Sequence, residues 1–175
     1  MKTLHLLRHA KTIEGPLHGT DHARFLTPRG VKAAKVLGEH LTATYFSVDK
    51  VFCSTARRAR ETYELIAPAL KGATVAFRDR LYLVETSDLL EFIHGLPDKA
   101  DSIMIVGHNP GLHNIAVSLS KTAARGKAEV LTALREKFPT GTLCSLAFDV
   151  KRWRDVETGT GTLTSVVRPK DLEGE

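Results

Sequence analysis

Arg8 and His9 stand side by side where an apolar run ends, in the stretch LHLLRHAKT. A neutral imidazole can attack phosphorus, and a guanidinium offers a planar fork that matches phosphate oxygens. Groups of the same kind recur far along the chain. Arg58 lies in CSTARRARETYELI and His108 in VGHNPGL. A second imidazole can donate to an equatorial oxygen as charge redistributes in a phosphoryl transition state. Taken singly, each residue has a plainer reading. Arg8 reads as a surface charge, Arg57, Arg58 and Arg60 as a solvated helix face, and His108 as a helix cap. Arginines in a first helical turn are poorly placed, however, unless an anion sits there. Together the residues point to an anion site.

For these groups to meet, strand ends must bring them together. Residues 2–7, 48–53 and 102–106 are short apolar runs suited to strands buried on both faces of a parallel sheet. Residues 73–77 and 143–149 read as further strands. Arg8-His9 follows the first run, Ser54 the second, and Gly107-His108 the third. The carboxyl ends of parallel strands form the ligand-binding edge of an open sheet. Helix N-termini after Ser54 and after Asn109 are expected to aim free N–H groups at the same spot.

Helical patterns fill the intervals. Thr27-Pro28 is a cap with a first-turn proline, followed by Val31, Ala34, Leu37 and Leu41 on one face. Ala59, Tyr63, Ile66 and Leu70 mark a second helix, and Leu89, Phe92, Ile93 and Leu96 a third. Asn109-Pro110 opens a fourth, and a fifth covers about 128–137 before Pro139. Strands alternating with helices give a three-layer α/β/α sandwich with a mostly parallel central sheet. The loop from Lys11 to Leu26 is long and polar, and the stretch LTSVVRP near the end has edge-strand character.

The bulk properties narrow the function further. The chain has 175 residues, 42% hydrophobic and 26% charged, which fits one domain spanning 1–175 with its own core. No run approaches a membrane span, and the N-terminal apolar stretch is too short for a secretion signal, so a cytoplasmic place without membrane attachment is expected. A net charge of +5 favours acidic or phosphorylated partners. The basic residues form no long block and do not interleave with aromatics, which argues against nucleic acid. Cys53 and Cys144 read as small buried hydrophobes. His18 and His22 are four apart, but in a Gly/Pro-containing loop, so no metal or other cofactor is expected. The absence of a GxxxxGK[ST] loop argues against nucleotide triphosphate chemistry.

These motifs resemble the histidine phosphatase superfamily, which includes the phosphoglycerate mutases. LLRHAKT resembles its RHG signature, LTPRG its LTxxG helix start, CSTARRARETYELI its SxxxRAxxT block, and VGHNPGL its second histidine motif. DHARFLTPRG, similar to a DxxRxLTxxG pattern, points to the SixA-like phosphohistidine phosphatases. The resemblance covers residues 2 to about 150 and implies a phosphoglycerate mutase-like fold. It implies that His9 takes the phosphoryl group, that Arg8, Arg58 and His108 hold it, and that water releases phosphate. It sets Asp21, Arg24 and Asn109 on the substrate side, although Asp21 and Arg24 also read as a local loop ion pair worth under ~1 kcal/mol. The implied partner is a phosphorylated substrate, and the protein is expected as a monomer or weak dimer.

Two departures stand out. Ala10 replaces the signature glycine and would be strained at a positive φ or in a very close backbone approach. The larger enzymes carry an acidic proton donor in an insert for which this chain has little room. Glu85 is the nearest candidate donor, and it reads equally as an acid favouring the helix start at Thr86. The chemistry softens this loss. An alkoxide leaving group needs a proton, whereas a phosphorylated imidazole protonated on its other nitrogen leaves as neutral imidazole, whose conjugate acid has a pKa of ~6.5. The leading expectation is therefore a phosphatase acting on phosphohistidine of a signalling protein. The alternatives are a small-molecule phosphomonoesterase and a non-catalytic phospho-ligand binding module.

Overall fold

The structure, a computed structural model, describes residues 1–15 and 19–173. His18 therefore lies outside the described residues, as does the centre of the 11–26 loop. Strands β1 (Lys2–Arg8), β2 (Lys50–Ser54), β3 (Thr74–Arg78), β4 (Ser102–Gly107), β5 (Ser120–Ala123), β6 (Leu143–Phe148) and β7 (Gly161–Val167) form one sheet in the order β3-β2-β4-β1-β6-β7-β5. Only β6 runs against the others, so the sheet is mostly parallel as expected. Helices α1 (Pro28–Ala43), α2 (Arg57–Ile66), α3 (Thr86–His94), α4 (Gly111–Leu119), α5 (Ala128–Glu136) and α6 (Pro169–Leu172) lie between and after the strands.

Side-chain alternation along the strands splits the core into two layers. Leu4, Leu6, Ile103, Ile105 and Phe52 face one way and pack with Leu89, Ile93, Leu112 and Ile115 of α3 and α4. Leu7, Val51, Met104 and Val106 face the other way and pack with Leu37, Leu41, Ala59 and Ile66 of α1 and α2. Burial on both faces explains why these strands read as continuous apolar runs. Cys53 and Cys144 are buried on opposite faces as free thiols. His5 is buried between the Ser145 hydroxyl, 2.7 Å from its Nδ1, and the Ser102 hydroxyl, 3.1 Å from its Nε2.

One expectation needs correction. The LTSVVRP strand, β7, is not an edge, because it pairs with β6 on one side and with β5 on the other. Its residues are mostly half-buried, and that thin cover gave the sequence its edge-like look. The true edge there is β5, SKTA, too short and polar to show a period-2 pattern.

One glycine fixes the entry to α1. A Cβ on Gly30 would lie 2.1 Å from the Lys11 carbonyl oxygen. The loop after β1 therefore touches the first turn of α1, where the Thr27 hydroxyl accepts the Gly30 N–H at 3.0 Å.

Candidate active site

The strand register assembles the site. In the β1–β4 pair Arg8 faces Gly107, so His9 and His108 emerge together one residue later. The His9 N–H donates to the Gly107 carbonyl at 3.1 Å, and the two rings lie 5.3 Å apart between centroids. On the far side of β4, β2 ends at Ser54, whose hydroxyl is 2.7 Å from His108 Nε2. Helix α2 is clipped to the end of β1 by Thr62, which accepts the Ala10 N–H at 2.9 Å and donates to the Arg58 carbonyl at 2.7 Å. Ala10 is buried against Leu26 and Ala34. Among the described residues, the non-glycine residues at positive φ are Tyr45 and Leu83, so Ala10 sits on ordinary backbone and the strain expected from its Cβ does not arise.

The hydrogen-bond network assigns opposite tautomers to the two imidazoles. His9 Nδ1–H donates to the Ala10 carbonyl at 2.8 Å, which leaves the Nε2 lone pair free. The Ser54 hydroxyl accepts the Ala56 N–H at 3.2 Å and directs its own proton to His108 Nε2. His108 then carries its proton on Nδ1, which is buried without a partner. Burial, assisted by nearby positive charge, lowers the His9 pKa to about 4. Burial, the neighbouring His9 and Arg58 bring His108 down to about 3. Lowered in this way, both rings are neutral at physiological pH, one presenting a free lone pair and the other a free N–H.

Arg58 is only 3% exposed, and its guanidinium donates to the Asp21 carbonyl at 2.8 Å and to Asp21 Oδ2 at 3.1 Å. Asp21 also accepts from Arg24 Nη1 at 2.9 Å and from the Tyr82 hydroxyl. The Tyr82 hydroxyl, followed by Arg24 and Arg58, holds the Asp21 carboxyl well below the usual carboxylate range. Arg24 is itself anchored on the Ile13 carbonyl by Nε at 3.0 Å and Nη2 at 2.8 Å. Asp21 and Arg24 thus form more than a local loop pair, since Asp21 joins the loop to α2 and to Tyr82.

Arg8 Nη1 and Asn109 Nδ2 both donate to the Phe138 carbonyl, at 3.1 and 2.9 Å. Arg8 Nε and Asn109 Oδ1, like His108 Nδ1, are buried without partners. Orphaned buried polar atoms are rare in native proteins, and their clustering here marks a place for a polar ligand. The unused donors of Arg8 and His108 suit an anion.

These residues open on a cleft of about 450 Å³. Arg8, His9, Asp21, Arg24, Arg58, His108 and Asn109 all line it. Glu85 does not. It occupies the cap position of α3, exposed, where its reading as an acid at a helix start places it. Two N–H groups near these helix starts are spent within the protein. The Ala56 N–H is spent on Ser54, and the Leu112 N–H donates to the His108 carbonyl at 3.0 Å. Sequence reasoning missed Tyr82, which is hidden in the strand-like RLYLVE, and Glu14, Lys11 and Thr140, which line the cleft from loops. Among the described residues no group of three or more His, Cys, Asp or Glu is placed to hold a metal ion. Nor is any helix among them long and apolar enough to cross a membrane.

Comparison with known proteins agrees with this geometry. A family model described as the histidine phosphatase superfamily (branch 1) matches residues 4–87. An uncharacterized protein of Mycobacterium tuberculosis is 34% identical over 164 residues, covering 94% of this chain and 100% of that one. A solved structure described as a phosphohistidine phosphatase SixA from Nakamurella multipartitia superposes with a TM-score of 0.79 at 30% identity, covering 96% of each chain. A SixA structure from Agrobacterium tumefaciens superposes at 0.77, with 24% identity and coverage of 96% of this chain and 98% of that one.

Proposed function

The chain belongs to the histidine phosphatase superfamily, and from that premise we propose that this phosphatase hydrolyses phosphohistidine on a protein through a phosphoryl group carried by His9. The phosphoryl oxygens lie between the Arg8 and Arg58 guanidinium groups and accept from His108 Nδ1–H. His9 Nε2 attacks phosphorus in line while the bond from phosphorus to the substrate imidazole breaks. The substrate ring enters protonated on its other nitrogen and leaves as neutral imidazole with the bonding pair. The positive charge passes to the His9 ring, whose Nδ1–H already rests on the Ala10 carbonyl. Water then attacks phosphorus, the P–Nε2 bond breaks with its pair returning to His9, and the water's proton leaves on the phosphate. No protein acid is required in either step.

The observation that carries this reading is the state of Asp21. The carboxylate bonded to Arg58 is held ionised by Tyr82, Arg24 and Arg58, so it has no proton to give an alkoxide. Such a site favours P–N over P–O cleavage. The likeness to the Nakamurella protein, named for phosphohistidine, supports the same substrate class. The exposed Glu14 at the cleft favours a second reading, a phosphomonoesterase with Glu14 as its acid. A substrate panel separates the two. On the first reading kcat/KM for a phosphohistidine protein exceeds that for phosphoserine or sugar phosphates by about a hundredfold or more, and Glu14→Gln changes neither. Faster turnover of the phosphoesters, lost in Glu14→Gln, would establish the second.

A further inference from the structure

Beside the catalytic cleft lies a second cavity of about 250 Å³ that shares Lys11 and Thr140 with it. Its cations are Lys11, Arg29, Lys137, Arg168 and Lys170, against a single lining carboxylate, Glu173. Ala33, Pro139 and Pro169 give it apolar walls. The Arg168 guanidinium is engaged by Asp171, at 3.1 Å from both Nε and Nη2. Among the described residues no ion pair forms at Lys11, Arg29, Lys137 or Lys170. Arg29 sits in the first turn of α1, which holds no acidic residue to balance it. Four unpaired cations gathered against one lining carboxylate repel one another, an arrangement that an acidic occupant relieves.

The backbone fixes this cluster relative to the catalytic groups. Gly30 allows the first turn of α1 to touch the Lys11 carbonyl, so Arg29 and Lys11 are held together. One loop forms the wall between the two cavities. On one side its Phe138 carbonyl receives Arg8 and Asn109, and on the other Lys137, Pro139 and Thr140 line the second cavity. The Gly141 N–H that follows bonds the His9 carbonyl at 2.9 Å, and a Cβ on Gly141 would lie 2.9 Å from Pro169 Cγ. A phosphorylated chain seated at His9 therefore has this basic cavity as a direct neighbour.

We propose that the second cavity is a recognition site for acidic side chains of the phosphoprotein substrate, flanking its phosphohistidine. This rests on the protein phosphohistidine reading of the catalytic cleft. The cavity has the size of one or two side chains, and its apolar walls suit the methylenes of glutamate while the cations take the carboxylate. Because most of its charges are exposed, recognition weakens as salt rises.

The test uses the full chain and two readouts. In the first, a fluorescent glutamate-rich peptide without phosphate is titrated at low salt against wild type, His9→Ala and the triple variant Arg29→Glu/Lys137→Glu/Lys170→Glu. Wild type and His9→Ala bind it alike, a glutamine-rich control binds about tenfold or more weakly, and the triple variant loses about tenfold or more. Equal binding of the two peptides, or unchanged binding by the triple variant, overturns the proposal. So does complete displacement of the peptide by millimolar inorganic phosphate in wild type but not in Arg58→Ala, which would put the peptide in the catalytic cleft. In the second readout, kcat/KM falls in the triple variant for a phosphohistidine peptide with acidic flanks but stays within about twofold for phosphoramidate, which has no flanks. A parallel fall for both overturns it as well. Failure of wild type to turn over any phosphohistidine would instead sink the reading of the catalytic cleft, while the binding readout still decides the second cavity.

Discussion

At the floor of the cleft, His9, His108 and Arg58 are 5%, 4% and 3% exposed, and each is held by a neighbour fixed in the backbone or by a side chain. At the rim, Lys11 and Glu14 are exposed and come from the loop after β1, and Arg29 is exposed beyond them in the second cavity. The difference separates two tasks. Burial sets protonation states, so the floor can run the same chemistry on any phosphoryl group that reaches it. Exposure leaves the rim cheap to vary, so it can select the molecule that carries that group.

The largest effect that would break this division comes from His9→Ala. Turnover should fall at least about a thousandfold, with loss of the acid-labile phosphoenzyme in a rapid-quench assay. A residual rate within tenfold of wild type would put the nucleophile elsewhere.

Acid should destabilise the floor before the rim. Burial lowers His9 to about 4 and His108 to about 3, against about 6.5 in an unfolded chain, and lowers His5, buried in the sheet away from the cleft, to about 4. The unfolded state therefore binds more protons between those values. The stabilisation is complete above pH ~6.5 and is lost as pH falls, by up to about 2 kcal/mol per histidine at pH ~5. Asp21 is ionised in both states over that window and adds its own loss only as pH falls below about 4. Urea midpoints at pH 7 and 5 measure the difference, and equal midpoints would mean that the floor is not dry.

Arg58→Lys comes next, because an ammonium cannot span Asp21 and a phosphoryl group in one plane. A loss of about a hundredfold in kcat/KM is expected, and a loss below threefold would assign the grip to Arg8 alone. Ser54→Ala should cost about tenfold in kcat through the His108 tautomer, with Ser54→Thr restoring most of it. Equal losses in both variants, matched by a fall in Tm, would point to packing instead. The smallest effect is Glu85→Gln, which should leave turnover within about twofold on phosphohistidine and phosphoester alike. A tenfold loss would return Glu85 to the list of proton donors.

Legibility followed the same line between floor and rim. Arg8, His9, Arg58 and His108 could be found from the sequence because each follows an apolar strand or opens a helix, and parallel strands bring their carboxyl ends together. The α1 start was readable from Thr27 and Pro28, whose capping chemistry is local. Tyr82 was not readable, because an aromatic in RLYLVE looks like part of a strand until the 3-10 turn Asp79–Leu81 is seen. The Phe138 carbonyl has no side-chain signature at all. The place of β7 depends on β5, whose four residues carry no period, so the sequence shows only one of the two partners of β7.

The shared anchor of Arg8 and Asn109 has a bearing on synthesis. Arg8, His9, Arg58 and His108 are all translated by position 108, yet the carbonyl that braces two cleft residues belongs to position 138, and β6, which zips against β1, arrives only with Leu143–Phe148. A growing polypeptide thus holds the complete reagent set while its pocket still lacks one side. The cleft should stay inert on the ribosome until residues 138–148 have emerged from the tunnel.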